Sequence, residues 1–414
     1  MNASSKWFIR VLHSEGLRAM QHRNYRLFIF GQLVSLIGTW MQSTAQQWLV
    51  YSITNSQFKL GVVSFAGFFP ILLISLFMGP IVDRLPRRTI LLATQTLYMI
   101  LAAILAVLTA LHIVQYWHIV ILALLLGFVS ALDMPARQAF YIDLVAREDL
   151  LNAIAINSSV FNAARIFGPA AAGIVVAAVG EAPAFAINSI SYLAVIFALL
   201  RISIPPGIKS DRKGSGTAQL KEGLLYLVRT REVFGLVTMV AIFSLLGFPY
   251  LILLPAVAVE VLNTGPEGFS ALVSAQGVGA LIGAVLLAGF GNHIHKGRIL
   301  LISRFTLSAS LVVLGFSRVQ FISQIALVFA GFSFITSLAL TNTLIQIIVP
   351  DKIRGRVLSA FTWALGGFLP IGSLVYGSIG DAIGVAGAIL IASGFCLLAA
   401  IVSLKWFPET GKLR

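Results

Sequence analysis

Runs of about 20 apolar residues alternate with short polar segments along the whole chain. An α-helix needs this length to cross the hydrocarbon core of a bilayer, so the pattern predicts twelve membrane-spanning helices. We therefore predict an all-α membrane protein with twelve transmembrane helices. The predicted spans are residues 25–50, 59–83, 88–111, 117–140, 150–178, 183–201, 232–261, 268–290, 298–316, 320–347, 355–379 and 384–406.

The twelve predicted spans form two groups of six, separated by the longest polar stretch of the chain. Residues 203–231 are rich in glycine, serine and charged residues, a composition typical of a flexible linker. We predict, in order, a basic cytoplasmic N-terminal segment, a six-helix half, a cytoplasmic linker, a second six-helix half and a cytoplasmic tail. Their ranges are 1–22, 23–201, 202–231, 232–406 and 407–414.

The two halves also repeat one another in sequence. Gly168 matches Gly372 and Gly173 matches Gly377, and the polar segments that precede these spans match at the same offset. An internal duplication of this kind predicts two pseudo-symmetric halves with a binding site near the membrane midplane.

The composition indicates a bilayer as the solvent. Of the 414 residues, 58% are hydrophobic and 11% are charged, and the mean hydropathy is +0.94. A soluble domain carries about 25% charged residues, so this chain cannot cover a globular surface with polar groups. The net charge of +14 arises from short basic clusters between apolar runs. Such clusters set topology and attract anionic headgroups, so we predict contact with membrane lipids and no nucleic-acid partner.

The positions of lysine and arginine predict the orientation. With both termini in the cytoplasm, the exterior loops carry only Lys59 and Arg318, as expected from the excess of basic residues in cytoplasmic loops. The single cysteine, Cys396, lies in an apolar run, and the chain has no Gly-x-x-x-x-Gly-Lys phosphate-binding loop. We therefore predict no metal site, no cofactor and no enzymatic activity.

A charged segment lies at the end of the second span. It places a carboxylate and three arginines in the pattern Gly-x-x-x-Asp-Arg-x-x-Arg-Arg, formed by Gly79, Asp83, Arg84, Arg87 and Arg88. Charges are costly inside a bilayer, so this segment belongs where the helix meets the cytoplasm. The pattern resembles the signature loop between the second and third helices of the major facilitator superfamily.

We interpret this segment as a cytoplasmic gate. Asp83 is placed to cap the positive N-terminus of the eleventh span, and Arg87 is placed to reach Asp133 or Asp143. Gly79 permits close approach of neighbouring helices. These contacts would hold the cytoplasmic side closed and break when that side opens.

Two further segments narrow the resemblance. Residues 165–173, which include Gly168, Pro169 and Gly173, are similar to the Gly-Pro motif of exporters in this superfamily. Residues 23–42 resemble a bacterial branch that contains enterobactin exporters and macrolide efflux pumps. The resemblance implies a monomeric protein of the bacterial inner membrane that exports an amphiphilic small molecule, such as a siderophore or drug, by rocker-switch alternating access. Protons are the usual coupling ion in this superfamily and are a candidate coupling ion here, but the resemblance alone does not establish proton coupling.

The first span carries a polar stripe on an otherwise apolar helix. At the helical repeat, its amides and hydroxyls fall within an arc of about 100°. Amides facing lipid would find no hydrogen-bond partner, so this face must meet protein or water. We interpret the stripe as a wall of the substrate cavity, the alternative being hydrogen bonds between helices. The predicted cavity residues are Gln32, Ser35, Thr39, Gln42, Ser43 and Gln46, with Ser333, Thr336 and Ser337 of the tenth span and Tyr250 at a predicted break in the seventh.

Three charged residues within the spans are candidates for coupling or substrate binding. Arg165, near the middle of the fifth span, either meets an anionic substrate group, acts as a charged gate or hydrogen-bonds carbonyls freed around Pro169. Asp133 and Arg137 lie four residues apart on the fourth span and form either a proton-linked pair or a static brace. The brace is favoured because Pro135 interrupts this helix near its cytoplasmic end. The arginine that proton-coupled exporters carry midway down the fourth span has no counterpart here.

Three functions remain open at this level. The first is secondary active export of an amphiphilic organic molecule. The second is transport of a lysophospholipid or similar lipid on the same fold, and the third is a non-transporting membrane scaffold or sensor. The intact motifs in both halves favour transport.

Overall fold

The structure, a computed structural model, describes residues 15–203, 225–290 and 295–406, without the side chains of residues 15–17, 75–84, 290, 351–352 and 405–406. Within these ranges the regular secondary structure is helical. The long helices, in chain order, are α1 (Arg23–Thr54), α2 (Gln57–Arg84), α3 (Arg87–Ala110), α4 (Tyr116–Leu144), α5 (Leu150–Val179), α6 (Glu181–Arg201), α7 (Arg231–Leu246), α8 (Pro266–Phe290), α9 (Lys296–Phe316), α10 (Gln320–Ile348), α11 (Asp351–Ile383) and α12 (Val385–Trp406).

The spans predicted from apolar runs coincide with these helices. In the described part of the chain, eleven segments are long and apolar enough to cross a membrane: α2 to α6, α7 with its continuation to Val261, and α8 to α12. Helix α1 has ample length, 32 residues, but its amides and hydroxyls make it too polar to meet the same standard. The all-α membrane fold is confirmed, and α1 is distinguished as the polar helix.

Two glycines make the tight junctions between consecutive helices. Gly180 joins α5 to α6 and Gly384 joins α11 to α12, both with φ of +84°. This left-handed backbone conformation is accessible to glycine at little cost. The two glycines are separated by the same offset as Gly168 and Gly372, so the internal repeat extends to the geometry of the turns.

The seventh span is broken. After α7 the chain continues as a 3₁₀ helix (Phe248–Leu253) and, one turn further on, a π turn (Val257–Val261). Pro249 and Pro255 lie in this region, and each removes a backbone N–H donor from the helix. The predicted break around Tyr250 is confirmed.

The chain divides into two compact units. The first contains the described residues of 1–46 and 73–211, and the second contains those of 47–72 and 212–414. The end of α1 and the beginning of α2 therefore belong to the second unit. The boundaries of the two halves and of the linker remain a prediction from the sequence.

In the first unit, aromatic side chains pack where α1, α4 and α5 meet. Phe28 of α1 lies edge-on to Phe140 of α4, with ring centroids 5.2 Å apart, and both are buried. The Tyr25 hydroxyl donates a hydrogen bond to the carbonyl of Ala153 at 2.7 Å. A buried phenol is thereby satisfied where it would otherwise lose its hydration.

Large apolar side chains also cover outward-facing parts of the helices. Leu151, Ile174 and Phe316 are 81%, 73% and 69% exposed. Apolar exposure on this scale marks a surface that meets another apolar phase. Here that phase is the hydrocarbon of the bilayer.

In the second unit, glycine allows α8 and α10 to pack backbone against backbone. A Cβ atom on Gly279 would overlap the carbonyl oxygen of Val328, and one on Gly331 would overlap that of Gln276. Membrane helices associate through such close contacts because lipid provides no hydrophobic drive between them.

We expect Gly279→Ala to lower the free energy of unfolding by about 1–3 kcal/mol, because the added methyl must push two helix backbones apart. The thermal unfolding midpoint in detergent measures this loss. Gly394→Ala in α12 is the matched control, since no heavy atom lies within 4 Å of its new Cβ. Equal midpoints for the two variants would contradict close α8–α10 packing.

Candidate functional site

An ion pair lies inside the first unit. Arg137 Nη2 and Nε donate to Asp133 Oδ2 at 2.6 and 2.9 Å, across one turn of α4. The Asp133 side chain is 5% exposed and that of Arg137 17%. Burying either charge alone would be costly, so each stabilises the other.

Helix α3 completes the surroundings of this carboxylate. The Thr94 hydroxyl and the Gln95 amide donate to Asp133 Oδ1 at 2.6 and 3.0 Å. Both oxygens of Asp133 therefore accept hydrogen bonds. Sequence reasoning did not select Thr94 or Gln95, although two adjacent polar residues in an apolar span were a detectable signal.

Helix α1 reaches the same cluster through Gln32, whose Oε1 accepts a hydrogen bond from Arg137 Nη1. A glutamine from α1, an ion pair on α4 and two donors on α3 thus form one buried network. We call Gln32, Thr94, Gln95, Asp133 and Arg137 the ion-pair network. Asp133 and Arg137 form the i,i+4 ion pair of the predicted static brace. Arg137 also binds Gln32 of the polar stripe on α1.

A second set of polar contacts lies further along α1. Thr39 Oγ1 lies 3.2 Å from the Tyr192 hydroxyl, and Asn188 Nδ2 of the same helix, α6, donates to Gln42 Oε1 at 2.6 Å. The Tyr192 ring stacks on Tyr98 of α3, with centroids 5.6 Å apart. These contacts join α1, α3 and α6 within the first unit.

The predicted stripe on α1 thus has two kinds of position. Gln32, Ser35 and Gln42 are buried, and the two amides bond neighbouring helices. Thr39 and Ser43 are exposed, and Gln46 is half-buried. Interhelical bonding accounts for the amides of Gln32 and Gln42, and the exposed residues Thr39 and Ser43 remain candidates to meet substrate.

Arg165 packs against an aromatic side chain. It is 6% exposed, and its guanidinium carbon lies 5.6 Å from the centroid of the Trp40 ring. Phe161 meets the same ring edge-on at 5.7 Å. Gly168 lies directly against α1, where an added Cβ atom would overlap the Cβ of Trp40 and crowd the carbonyl oxygen of Ile37. Pro169 and Gly173 of the exporter-type motif are buried in the same helix, α5.

The predicted cavity residues of the second unit are buried. Ser333, Thr336 and Ser337 on α10 are 0%, 1% and 7% exposed, and Tyr250 is 0% exposed. Within the described residues, Ser333 Oγ and Thr336 Oγ1 have no hydrogen-bond partner. These two hydroxyl oxygens therefore retain unused hydrogen-bonding capacity. A buried hydroxyl in this state is unfavourable.

Two arginines of the gate motif, Arg87 and Arg88, bind α4 and α6. Arg87 Nη1 donates to Asp143 Oδ1 at 2.7 Å and to the carbonyl of Ala139 at 3.1 Å. Of the two predicted partners, Arg87 therefore selects Asp143. Arg88 Nε donates to the Leu199 carbonyl at 2.6 Å. The side chains of Gly79, Asp83 and Arg84 lie outside the described residues.

A second buried arginine, Arg304 of α9, was not predicted as a site residue. It is 2% exposed, donates to Ser403 Oγ at 2.5 Å and lies 5.6 Å from the Phe243 ring centroid. No described carboxylate forms a salt bridge with it. The position of this charged residue inside an apolar span could have identified it from the sequence. Across the described ranges, no group of histidine, cysteine or acidic side chains is arranged to hold a metal ion.

We expect Asp133→Ala to lower the free energy of unfolding by about 3–5 kcal/mol, because Arg137 is left as a buried charge without its counter-ion. The double variant Asp133→Asn/Arg137→Gln should recover much of this loss, since it removes both charges together. Detergent-based unfolding measures both effects. A double variant less stable than Asp133→Ala would contradict mutual compensation.

Comparison with known proteins agrees with this architecture. Residues 14–411 match the family of transmembrane secretion effectors. The staphyloferrin A transporter of Staphylococcus aureus is 26% identical over 364 residues, covering 87% of this chain and 90% of the relative. Macrolide efflux protein A of Streptococcus pyogenes is 26% identical over 395 residues, covering 92% and 96%. The multidrug efflux pump Tap of Mycolicibacterium fortuitum is 24% identical over 390 residues, covering 91% and 94%.

Solved structures show the same fold. A point mutant of the nucleoside transporter NupG superposes with a TM-score of 0.76 at 14% identity, covering 93% of this chain and 99% of NupG. A D-xylose–proton symporter gives a TM-score of 0.72 at 16% identity, covering 94% and 99%. With the family match over nearly the whole chain, the protein is a membrane transporter and not an enzyme. It belongs to the transmembrane secretion effector family, in the siderophore and macrolide-efflux branch of the major facilitator superfamily.

Proposed function

We propose that this transporter exports an amphiphilic organic small molecule in exchange for protons, by rocker-switch alternating access in the bacterial inner membrane with both termini in the cytoplasm. The relatives named for staphyloferrin A transport and macrolide efflux support the substrate class. The exporter-type motif at Gly168 and Pro169 supports the direction of transport. The distribution of basic residues supports the orientation. We expect the transporter to act as a monomer.

The observation that carries proton coupling is the burial of Asp133. Among the described residues it is the only buried aspartate or glutamate. An intramembrane carboxylate is a candidate proton carrier, because its charge is costly unless it is paired. The sequence alone favoured a static brace. In the structure, Arg137 also donates a hydrogen bond to Gln32, which connects the Asp133–Arg137 pair to α1.

Protonation of Asp133 would change the balance of charge in the ion-pair network. The neutral carboxyl no longer compensates Arg137, which then remains as a buried cation held by Gln32. An uncompensated buried charge costs several kcal/mol, so the first unit gains by rearranging. Proton uptake is in this way coupled to the position of α1 relative to α4. An acidic group of a substrate would compete for the same arginine.

The polar and aromatic groups near the predicted cavity fit an amphiphilic substrate. Thr39 and Ser43 are exposed polar residues on α1. Trp40 provides a half-buried aromatic surface on the same helix. Within the first unit, this part of α1 combines aromatic surface with a few polar anchors, as small-molecule sites do.

We expect Asp133→Asn to reduce pH-gradient-driven transport by about tenfold or more, because asparagine keeps the shape but cannot carry the proton. The measurement uses proteoliposomes with an imposed pH gradient and three probes: a macrolide, staphyloferrin A and a fluorescent lysophospholipid. Substrate exchange without a gradient should persist in the variant. Glu267→Gln, an exposed carboxylate on α8, is the matched control.

The results with the three probes distinguish the candidate functions. Gradient-driven transport of the macrolide or the siderophore by the unmodified protein supports export of amphiphilic small molecules. Transport of the lysophospholipid alone would replace this substrate class with lipid. Unchanged gradient-driven transport by Asp133→Asn would overturn Asp133 as the proton carrier.

A further inference from the structure

The second unit contains a set of contacts at the start of α2 that have no part in the proposed proton coupling. Residues 47–72, the end of α1 and the beginning of α2, belong to this unit together with α7 to α12. They lie at the end of α2 opposite Arg84, on the side that the distribution of basic residues predicts to be exterior. Two carboxylates of the C-terminal half bind them.

The first carboxylate is Asp381, near the C-terminal end of α11. Its oxygens accept hydrogen bonds from the Ser56 hydroxyl at 2.5 Å, the Gln57 backbone N–H at 2.6 Å and the Phe58 backbone N–H at 3.3 Å. The first N–H groups of a helix have no partner within the helix and carry a partial positive charge. Asp381 therefore caps α2 from another helix.

The second carboxylate is Glu260, in the π turn that follows α7. Its Oε1 accepts hydrogen bonds from the Tyr51 hydroxyl at 2.5 Å and from Gln57 Nε2 at 3.1 Å. Gln57 thus bonds both carboxylates, one through its backbone and the other through its side chain. The Gln57 residue is 3% exposed.

Glycines bring the helices close enough for these bonds. A Cβ atom on Gly377 of α11 would lie 2.5 Å from the Gln57 carbonyl oxygen, and one on Gly61 of α2 would lie 2.6 Å from that of Ser373. Real Cβ atoms do not approach backbone oxygens so closely, so α2 and α11 meet here only because these positions are glycine.

We propose that Asp381 and Glu260 form a latch that holds the ends of α1 and α2 against α7 and α11, and that must open once in each transport cycle. This inference rests on the proposed alternating access, in which the two sequence halves separate on one side of the membrane at a time. Residues 51–58 come from the first sequence half and both carboxylates come from the second.

The position of the latch is the counterpart of the gate motif. Asp83, near the C-terminal end of α2, is predicted from the sequence to cap the N-terminus of α11. Asp381, near the C-terminal end of α11, caps the N-terminus of α2. Asp381 and Glu260 are exposed, so water can replace their bonds when the latch opens.

A cysteine reporter tests this latch without any substrate. Cys396→Ala removes the single native cysteine, and Ser373→Cys places a thiol at a position of α11 that is 1% exposed and faces Gly61. We expect Asp381→Ala to accelerate labelling of this thiol by a polar maleimide in detergent by about fivefold or more, because the α2–α11 contact opens more often. Glu267→Ala, a carboxylate outside the latch, should leave the rate unchanged.

A second variant and a second readout guard against a misfolded reporter. Gly377→Ala should open the same contact by steric overlap, whereas Gly366→Ala in the same helix meets no atom within 4 Å and should not. Hydrogen exchange of the Gln57 and Phe58 amides, measured without any cysteine, should accelerate in Asp381→Ala and Gly377→Ala. Unchanged labelling and unchanged exchange in both variants would overturn the latch. Faster labelling together with normal proton-driven transport by Asp133→Asn would leave the latch standing and overturn only the proton assignment.

Discussion

The hydrocarbon of a bilayer offers no hydrogen bonds to a charge, and the ion pair between Asp133 and Arg137 is the response to that constraint on which the first unit depends. Every polar partner has to come from the protein. Thr94 and Gln95 satisfy one carboxylate oxygen, Arg137 the other, and Gln32 a further guanidinium nitrogen. Three helices are therefore tied to one charge balance, and a change in that balance is felt by all of them.

The other helix–helix contacts have to allow close packing, and some of them also have to separate during transport. Glycine contacts such as Gly279 with Val328 bring backbones together without polar groups, which suits parts of the protein that stay packed. The contact proposed to open, between α2 and α11, combines glycines with exposed carboxylates, whose lost hydrogen bonds water can replace. Asp381 and Glu260 are these carboxylates. Buried charge would then supply the coupling, and exposed charge the reversibility.

Much of the fold followed from local patterns in the sequence. The apolar runs placed all twelve helices, proline and glycine placed the break around Tyr250, and the charged segment after α2 led to the contact between Arg87 and Asp143. The family resemblance was confirmed by the match over residues 14–411. What the sequence did not provide was the rotation of each helix about its axis.

Helix rotation decides which distant residues meet, and it explains the omissions. Asp133 was visible as a charge in an apolar span, but its partners on α3 lie 38 and 39 positions away. Glu260 and Asp381 were not predicted to hold other helices, because their partners are more than 200 positions away in the chain. Infrared difference spectra recorded while the pH is lowered test the central claim most directly. If Asp133 carries the proton, a protonated-carboxyl band appears in the unmodified protein and is missing in Asp133→Asn. Identical spectra for the two proteins across the titration would contradict it.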